Sequence, residues 1–186
     1  MKKMICFMIV GLFLAAPSLA WCESDKAWTG NARLLLGGKY YDQDDWTGRS
    51  SQYQLGGLFD IGMKTWPVSL ALDILYSSGK ANSVKAGVLE ENLGVRKYFE
   101  GDSKLQTYIG GGVTLARAML DAALRSPGDD ETGFGLWLNM GFSYLLTDRF
   151  TIGGDFRYST AEVSIFNATD VRAGGLHAGL TLGWKF

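Results

Sequence analysis

An all-β fold, an eight-stranded antiparallel up-and-down β-barrel crossing a membrane, is predicted by three features of this 186-residue sequence. Eight stretches alternate apolar residues with polar or very small ones at period two. The composition, with 25 glycines, 3 prolines and 13 % aromatics, suits many strands joined by tight turns. The chain also opens on an export leader.

The leader is residues 1–20, "MKKMICFMIVGLFLAAPSLA". Two lysines precede an apolar run from Met4 to Ala16, and Ser18-Leu19-Ala20 forms a small-residue cleavage site. That run is too short and wrongly flanked for a spanning helix. Cleavage after Ala20 leaves residues 21–186 as one barrel domain, with 21–27 as a lead-in. Cys22 invites a lipoprotein reading, but Trp21 stands where a small residue precedes a lipidated cysteine. Cys6 leaves with the leader, so no internal disulfide is available. Loss of Lys2 and Lys3 makes the remainder more acidic than the formal charge of −1, which is no footprint for nucleic acid.

The eight stretches follow in order. "WTGNARLLLGGKYY" sets Ala32, Leu34, Leu36 and Tyr40 against Asn31, Arg33 and Lys39. "SQYQLGGLFDIGM" sets Tyr53, Leu55, Phe59 and Ile61 against Gln52, Gln54 and Asp60. "PVSLALDILYS" sets Leu70, Leu72, Ile74 and Tyr76 against Ser69, Asp73 and Ser77. "ENLGVRKYF" sets Leu93, Val95 and Phe99 against Asn92, Gly94 and Arg96. "KLQTYIGGGVTLA" sets Ile109, Val113 and Leu115 against Gln106, Tyr108 and Thr114. "TGFGLWLNMGFSYLL" sets Phe134, Leu136, Leu138 and Met140 against Asn139 and Ser143. "FTIGGDFRYS" sets Ile152, Phe156 and Tyr158 against Asp155, Arg157 and Ser159. "GGLHAGLTLGWKF" closes with Leu176 to Phe186 on one parity and His177, Thr181 and Lys185 on the other.

Period two does not say which face meets water, so the faces themselves decide. The apolar face is almost uninterrupted over eight strands, too much greasy area for the interior of a small barrel. Its ends carry aromatics: Trp66, Phe99, Phe150, Trp184 and Phe186 at one rim, Tyr40, Tyr53, Tyr76 and Tyr158 at the other. These read as two interfacial girdles. Connections alternate between tight ("KTW", "EGDS", "TDR") and long (42–51, 79–87, 118–131, 161–171), as expected for turns on one side of a membrane and loops on the other. Closure removes every sheet edge, as lipid requires.

Through "LGVRKYF", "YIGGGVTLA" and the terminal "AGLTLGWKF" the chain resembles the small eight-stranded outer-membrane barrels of Gram-negative bacteria, of the OmpA-domain and OmpX/OmpW-like type. The resemblance covers the whole mature chain and is specific for architecture, not identity. It implies a monomer in the outer membrane. Its partners would be membrane lipids, lipopolysaccharide included, and the barrel assembly machinery, which in that family recognises a last strand ending in an aromatic such as Phe186.

With the polar parity inward, the interior collects a charged network of Arg33, Asp60, Asp73, Glu90, Arg96, Asp155, Arg157 and Lys185, joined by Lys39 and His177. An eight-stranded interior is barely wide enough for side chains, so a compensated ionic lattice is expected ahead of a water-lined passage. Interior glycines such as Gly94, Gly110 and Gly112 make local room or serve strand coiling.

No catalytic, cofactor-binding or metal residues are assigned. His177 is the only histidine; a lipid-deacylating role needs a serine beside it, and only Ser143, Ser159 or another strand serine is available. One histidine and one cysteine make no metal centre. "DQDDW" (42–46) and the acidic run at 129–131 read as solvated loop, and "GGG" at 110–112 lacks the Lys-Ser/Thr of a phosphate loop. Lys97 near the inner rim is placed to snorkel, and Arg117 near the outer rim to meet lipid phosphates or to mark a strand end. Glu91 breaks the apolar parity; either the fourth strand begins near Leu93 or a bulge shifts it.

The expected function is a non-enzymatic outer-membrane protein that supports the envelope and displays surface loops. The alternatives are a narrow channel for small or hydrophobic solutes, a lipid A-modifying enzyme, and a periplasmic ligand-binding barrel outside the membrane.

Overall fold

The computed structural model describes residues 28–41, 51–81, 84–100, 104–120, 132–165 and 169–186. The leader, its cleavage site, Cys22, the 42–46 segment and the acidic run at 129–131 lie outside the described residues.

Eight long strands form one closed antiparallel sheet: β1 (Trp28–Tyr40), β2 (Ser51–Met63), β3 (Ser69–Ala81), β4 (Val84–Glu100), β5 (Leu105–Leu120), β6 (Thr132–Leu145), β7 (Phe150–Ser159) and β10 (Gly175–Lys185). Sequence neighbours pair throughout, from β1–β2 to β6–β7. β10 then pairs with β7 on one side and β1 on the other, Asn31 facing Lys185 and Tyr40 facing Leu176. No edge remains in this ring. Two short strands, β8 (Glu162–Ile165) and β9 (Thr169–Arg172), form a hairpin on the β7–β10 connection. Among the described residues there is no helix.

The alternation sorts side chains as the sequence predicts. Along β7, Phe150, Ile152, Phe156 and Tyr158 are exposed while Thr151, Asp155, Arg157 and Ser159 are buried. Phe134 is 77 % and Leu180 70 % exposed, whereas Lys39 and Arg96 are fully buried at 0 %. The molecule is therefore inside out: grease faces its surroundings and charge faces the axis.

Four expectations need correction. The segment 79–87 is not a long loop; β3 and β4 continue as a paired ladder to Ala81 and Val84, with two residues between them. β4 neither starts near Leu93 nor bulges at Glu91: its register with β3 and β5 is unbroken, Glu91 facing Ile74 and Leu115. Glu91 stays on the outer face because Arg117 bonds it at 3.4 Å. Arg117 does not mark a strand end either, since β5 runs on to Leu120. In the last connection, the expected open loop holds the β8–β9 hairpin.

Not all of the interior is polar. Leu35, Leu58 and Leu75 sit on the inner parity of β1–β3 and pack together. Leu35 and Leu75 flank Gly56 in one row of the sheet. A second apolar cluster of Tyr41, Val88, Ala116, Ala118, Ala161 and Ala173 caps the end that carries the hairpin. All three are buried, which stabilises the barrel by roughly 25 cal/mol per Å² of apolar surface removed from water.

The barrel interior as candidate functional site

The lower interior is a single chain of alternating charges. Arg33 on β1 bonds Asp60 on β2 at 3.0 Å. Arg96 on β4 bonds Asp60 at 3.2 Å and Asp73 on β3 at 2.7 Å. Arg157 on β7 reaches Asp73, and its Nε lies 3.6 Å from Asp155. In the ring of eight, β7 stands opposite β3, so the Arg157–Asp73 bond crosses the lumen. Three guanidinium groups meet three carboxylates, and all six residues are buried.

Neutral donors satisfy much of what the charges leave over. Asn31 and Tyr98 donate to Asp60 at 2.8 and 2.7 Å. Tyr108 and Asn139 donate to Asp155 at 2.9 and 2.7 Å. Aromatic rings cover the cations: Arg33 lies 4.4 Å from the Tyr108 centroid and Arg157 4.8 Å from that of Trp137. The room for Tyr108 comes from Gly141, where a β-carbon would stand 2.4 Å from the phenol Cζ. A buried ion pair must recover a large desolvation cost through such extra bonds and stacking.

The upper interior is a separate polar hub. The Lys39 ammonium donates to Glu90 and to the backbone carbonyl of Ala173. The Ser159 hydroxyl lies 3.5 Å from Glu90 Oε2 and 3.2 Å from His177 Nε2. Gln54 Nε2 is 2.7 Å from His177 Nδ1.

This hub brings Ser159, His177 and a carboxylate together, which no local motif announced. It is not arranged as a hydrolase triad. There, the base presents one nitrogen to the nucleophile and the other to the acid. Here Ser159 and Glu90 both face Nε2, at 3.2 and 3.6 Å, and Gln54 occupies Nδ1. The whole group is buried inside the barrel, away from the face a lipid touches.

Of the network named from sequence, Arg33, Asp60, Asp73, Glu90, Arg96, Asp155 and Arg157 lie buried within one lumen. Lys185 stands half-buried at its rim, opposite Asn31. Sequence reasoning passed over Tyr98, Trp137 and the leucine cluster. Parity alone places them inward, but their apolar character argued for the outer face. Among the described residues, no group of three or more His, Cys, Asp or Glu is arranged to hold a metal ion.

On the outer face, Trp66, Phe99, Phe150, Trp184 and Phe186 gather at the end of the short turns. Trp28 and Trp66 meet edge to face at 5.9 Å, and Phe150 and Trp184 at 6.5 Å. The Lys97 ammonium lies 5.7 Å from the Phe99 ring centroid. Tyr40, Tyr53, Tyr76 and Tyr158 mark the opposite end.

A closed sheet with an apolar outer wall, aromatic ends and a charged lumen defines a membrane-spanning β-barrel. The chain belongs to the outer membrane protein β-barrel domain family, whose sequence model matches residues 6–186. Its place is therefore the outer membrane.

Solved barrels of similar fold include OprG of Pseudomonas aeruginosa (19 % identity, TM-score 0.61, covering 87 % of this chain and 97 % of that one). Neisserial surface protein A is similar at 18 % identity and TM-score 0.59, over 85 % and 94 %. Ail, the attachment invasion locus protein of Yersinia pestis, follows at 10 % and 0.57, over 86 % and 99 %. At these identities the likeness shows the fold alone. No curated protein sequence matches the chain significantly.

Proposed function

We propose that this chain is a non-enzymatic, non-conducting outer-membrane protein, exported by cleavage of residues 1–20 and inserted as a monomer. It acts through its lipid-facing wall and the loops at the hairpin-bearing end, supporting the envelope and presenting surface. The observation that carries this reading is the continuous chain Arg33–Asp60–Arg96–Asp73–Arg157–Asp155 across the lumen. Its charges balance, so no ion is needed to neutralise it, and an ion entering would have to displace paired groups already desolvated.

The burial of the sole histidine inside the lumen supports the non-enzymatic part. The aromatic ends and the Arg117–Glu91 pair suit contact with headgroups, including lipopolysaccharide phosphates. Phe186, at the end of the closing strand, suits recognition by the assembly machinery.

A narrow channel is the second reading. It draws on buried polar atoms without a hydrogen-bond partner among the described residues, Arg33 Nε and Nη1 among them. The test is a planar bilayer recording of the refolded mature chain. A silent membrane containing folded barrel is expected. Discrete conductance steps that change on Arg96→Gln or Asp73→Asn would overturn the proposal in favour of the channel.

A further inference from the structure

The β8–β9 hairpin is the distal half of the hairpin begun by β7 and β10, and the ladder breaks where the halves join. At Leu136 on β6 the partner in register is Thr160. The Thr160 N–H donates to the Leu136 carbonyl at 2.9 Å. The Leu136 N–H, however, goes to the Thr160 hydroxyl at 3.0 Å and not to the Thr160 carbonyl. One residue on, the Ala173 and Gly174 N–H groups both donate to the Ala161 carbonyl at 2.9 Å. An unbroken antiparallel ladder would give the Ala173 carbonyl back to the Ala161 N–H. That carbonyl takes the Lys39 ammonium instead. Two ladder bonds are thus replaced, one by a hydroxyl on the outer face and one by a cation in the lumen.

The break lets the hairpin lean inward. β8 continues the wall beside β6, yet it also comes close to β5. Ala161 and Ala173 are fully buried and join Tyr41, Val88, Ala116 and Ala118 in one cluster across the mouth. Gly135 on β6 is the seat of the lean: a β-carbon there would stand 2.6 Å from the Ala161 nitrogen and Cα. On the returning strand Gly175 turns with a φ of 145°, a conformation that favours glycine. Beneath this cover lies the polar hub of Lys39, Glu90, Ser159, Gln54 and His177.

We propose that β8–β9 is a two-state lid over the outer mouth, governing access from outside to the polar hub. Leaning, it is held by the Thr160 hydroxyl and the Lys39 ammonium. Upright, the Leu136 N–H and the Ala173 carbonyl return to their ladder partners, and the two alanines leave the mouth. The states exchange two side-chain bonds for two backbone bonds, which makes the element bistable. Burial of the alanine cluster tips the balance towards the leaning state. Opening exposes a blind vestibule, because the guanidinium–carboxylate chain below stays paired. The inference therefore goes beyond the proposed function and holds in a silent barrel.

The test uses the mature chain refolded in lipid nanodiscs, with Cys22→Ser and Val88→Cys placing one thiol beneath the lid. Labelling by a bulky, membrane-impermeant maleimide should be slow in this parent. It should rise several-fold with Thr160→Val and fall back with Thr160→Ser, which keeps the hydroxyl. Hydrogen exchange at the Leu136 amide separates opening from fraying. In the upright state that N–H is bonded to the Thr160 carbonyl, so it should stay protected in Thr160→Val. Faster labelling with loss of that protection means a frayed hairpin and overturns the proposal. So does labelling that Thr160→Val leaves unchanged in a folded barrel, or a parent labelled as fast as an exposed Tyr53→Cys control. Ala118→Cys, in the same cluster on β5, carries the thiol where Val88→Cys does not fold. Failure of the non-conducting reading shows instead as current through the parent barrel, so the two are told apart.

Discussion

Gly30 and Phe186 exchange a pair of backbone hydrogen bonds of 3.0 Å each, and the Phe186 ring lies over the bare face of Gly30. A β-carbon there would stand 2.7 Å from the ring Cζ and 2.4 Å from the Asp60 carbonyl. The Thr29 hydroxyl adds a third bond, to the Phe186 carbonyl at 3.2 Å. The seam between first and last strands is thus locked at its end by a glycine–aromatic fit.

Gly30→Val is expected to lower the unfolding free energy by about 1–3 kcal/mol through overpacking at this seam. Gly38→Ala is its control. It lies on the same outer face of β1, but its nearest neighbour would be 3.5 Å away, so it should stay within about 1 kcal/mol of the parent. Urea midpoints of the refolded barrel in micelles check both. Equal losses at the two sites would show that the fit to Phe186 does not matter.

Asp73 holds two guanidiniums, those of Arg96 and Arg157. Asp73→Asn leaves positive charge uncompensated in the lumen and should cost about 3–5 kcal/mol. Arg33→Met should cost less, because Asp60 keeps Arg96, Tyr98 and Asn31. The ranking of the two urea midpoints decides; the reverse order would contradict the lattice as described.

Lys39 ties the start of the returning strand to the inner wall through the Ala173 carbonyl. In Lys39→Met the β8–β9 hairpin should open more often while the barrel persists. Protease added outside should cut within 162–172 roughly tenfold faster, the change that about 1.4 kcal/mol of lost local stability produces. Unchanged cutting with a folded barrel would remove Lys39 from that role.

His177→Ala should weaken the barrel without altering membrane lipids. It strips partners from Gln54 and Ser159 at 2.7 and 3.2 Å, and each buried group so left costs about 1–3 kcal/mol. Mass spectra of lipid A from cells expressing parent and variant should coincide. A species present only with the parent would mean that the histidine acts on lipid after all.

Much of the fold was legible because a strand has only two faces. β2, β6 and β7 fall where the alternation of 51–63, 132–146 and 150–159 places them, to within a residue. The inward charges were legible for the same reason. Glu91 was not: an outward carboxylate breaks the pattern, and what permits it is Arg117, 26 positions away on the next strand. Tyr98 and Trp137 were missed because residue type and parity disagreed, and parity prevailed. In a lumen full of guanidinium groups, an aromatic ring is a good neighbour for a cation.

By itself, then, the sequence determined the strands, their two faces and which charges would share a lumen, since each follows from local period and side-chain chemistry. Only the tertiary structure decided the rest. It set that Arg157 reaches across to Asp73, that Ser159 and Glu90 share one nitrogen of His177, and that the Asn92 amide finds no hydrogen-bond partner among the described residues. Those relations depend on the register of each strand against its neighbours and on closure of β10 onto β1. Register is a property of pairs of strands, and no single strand carries it.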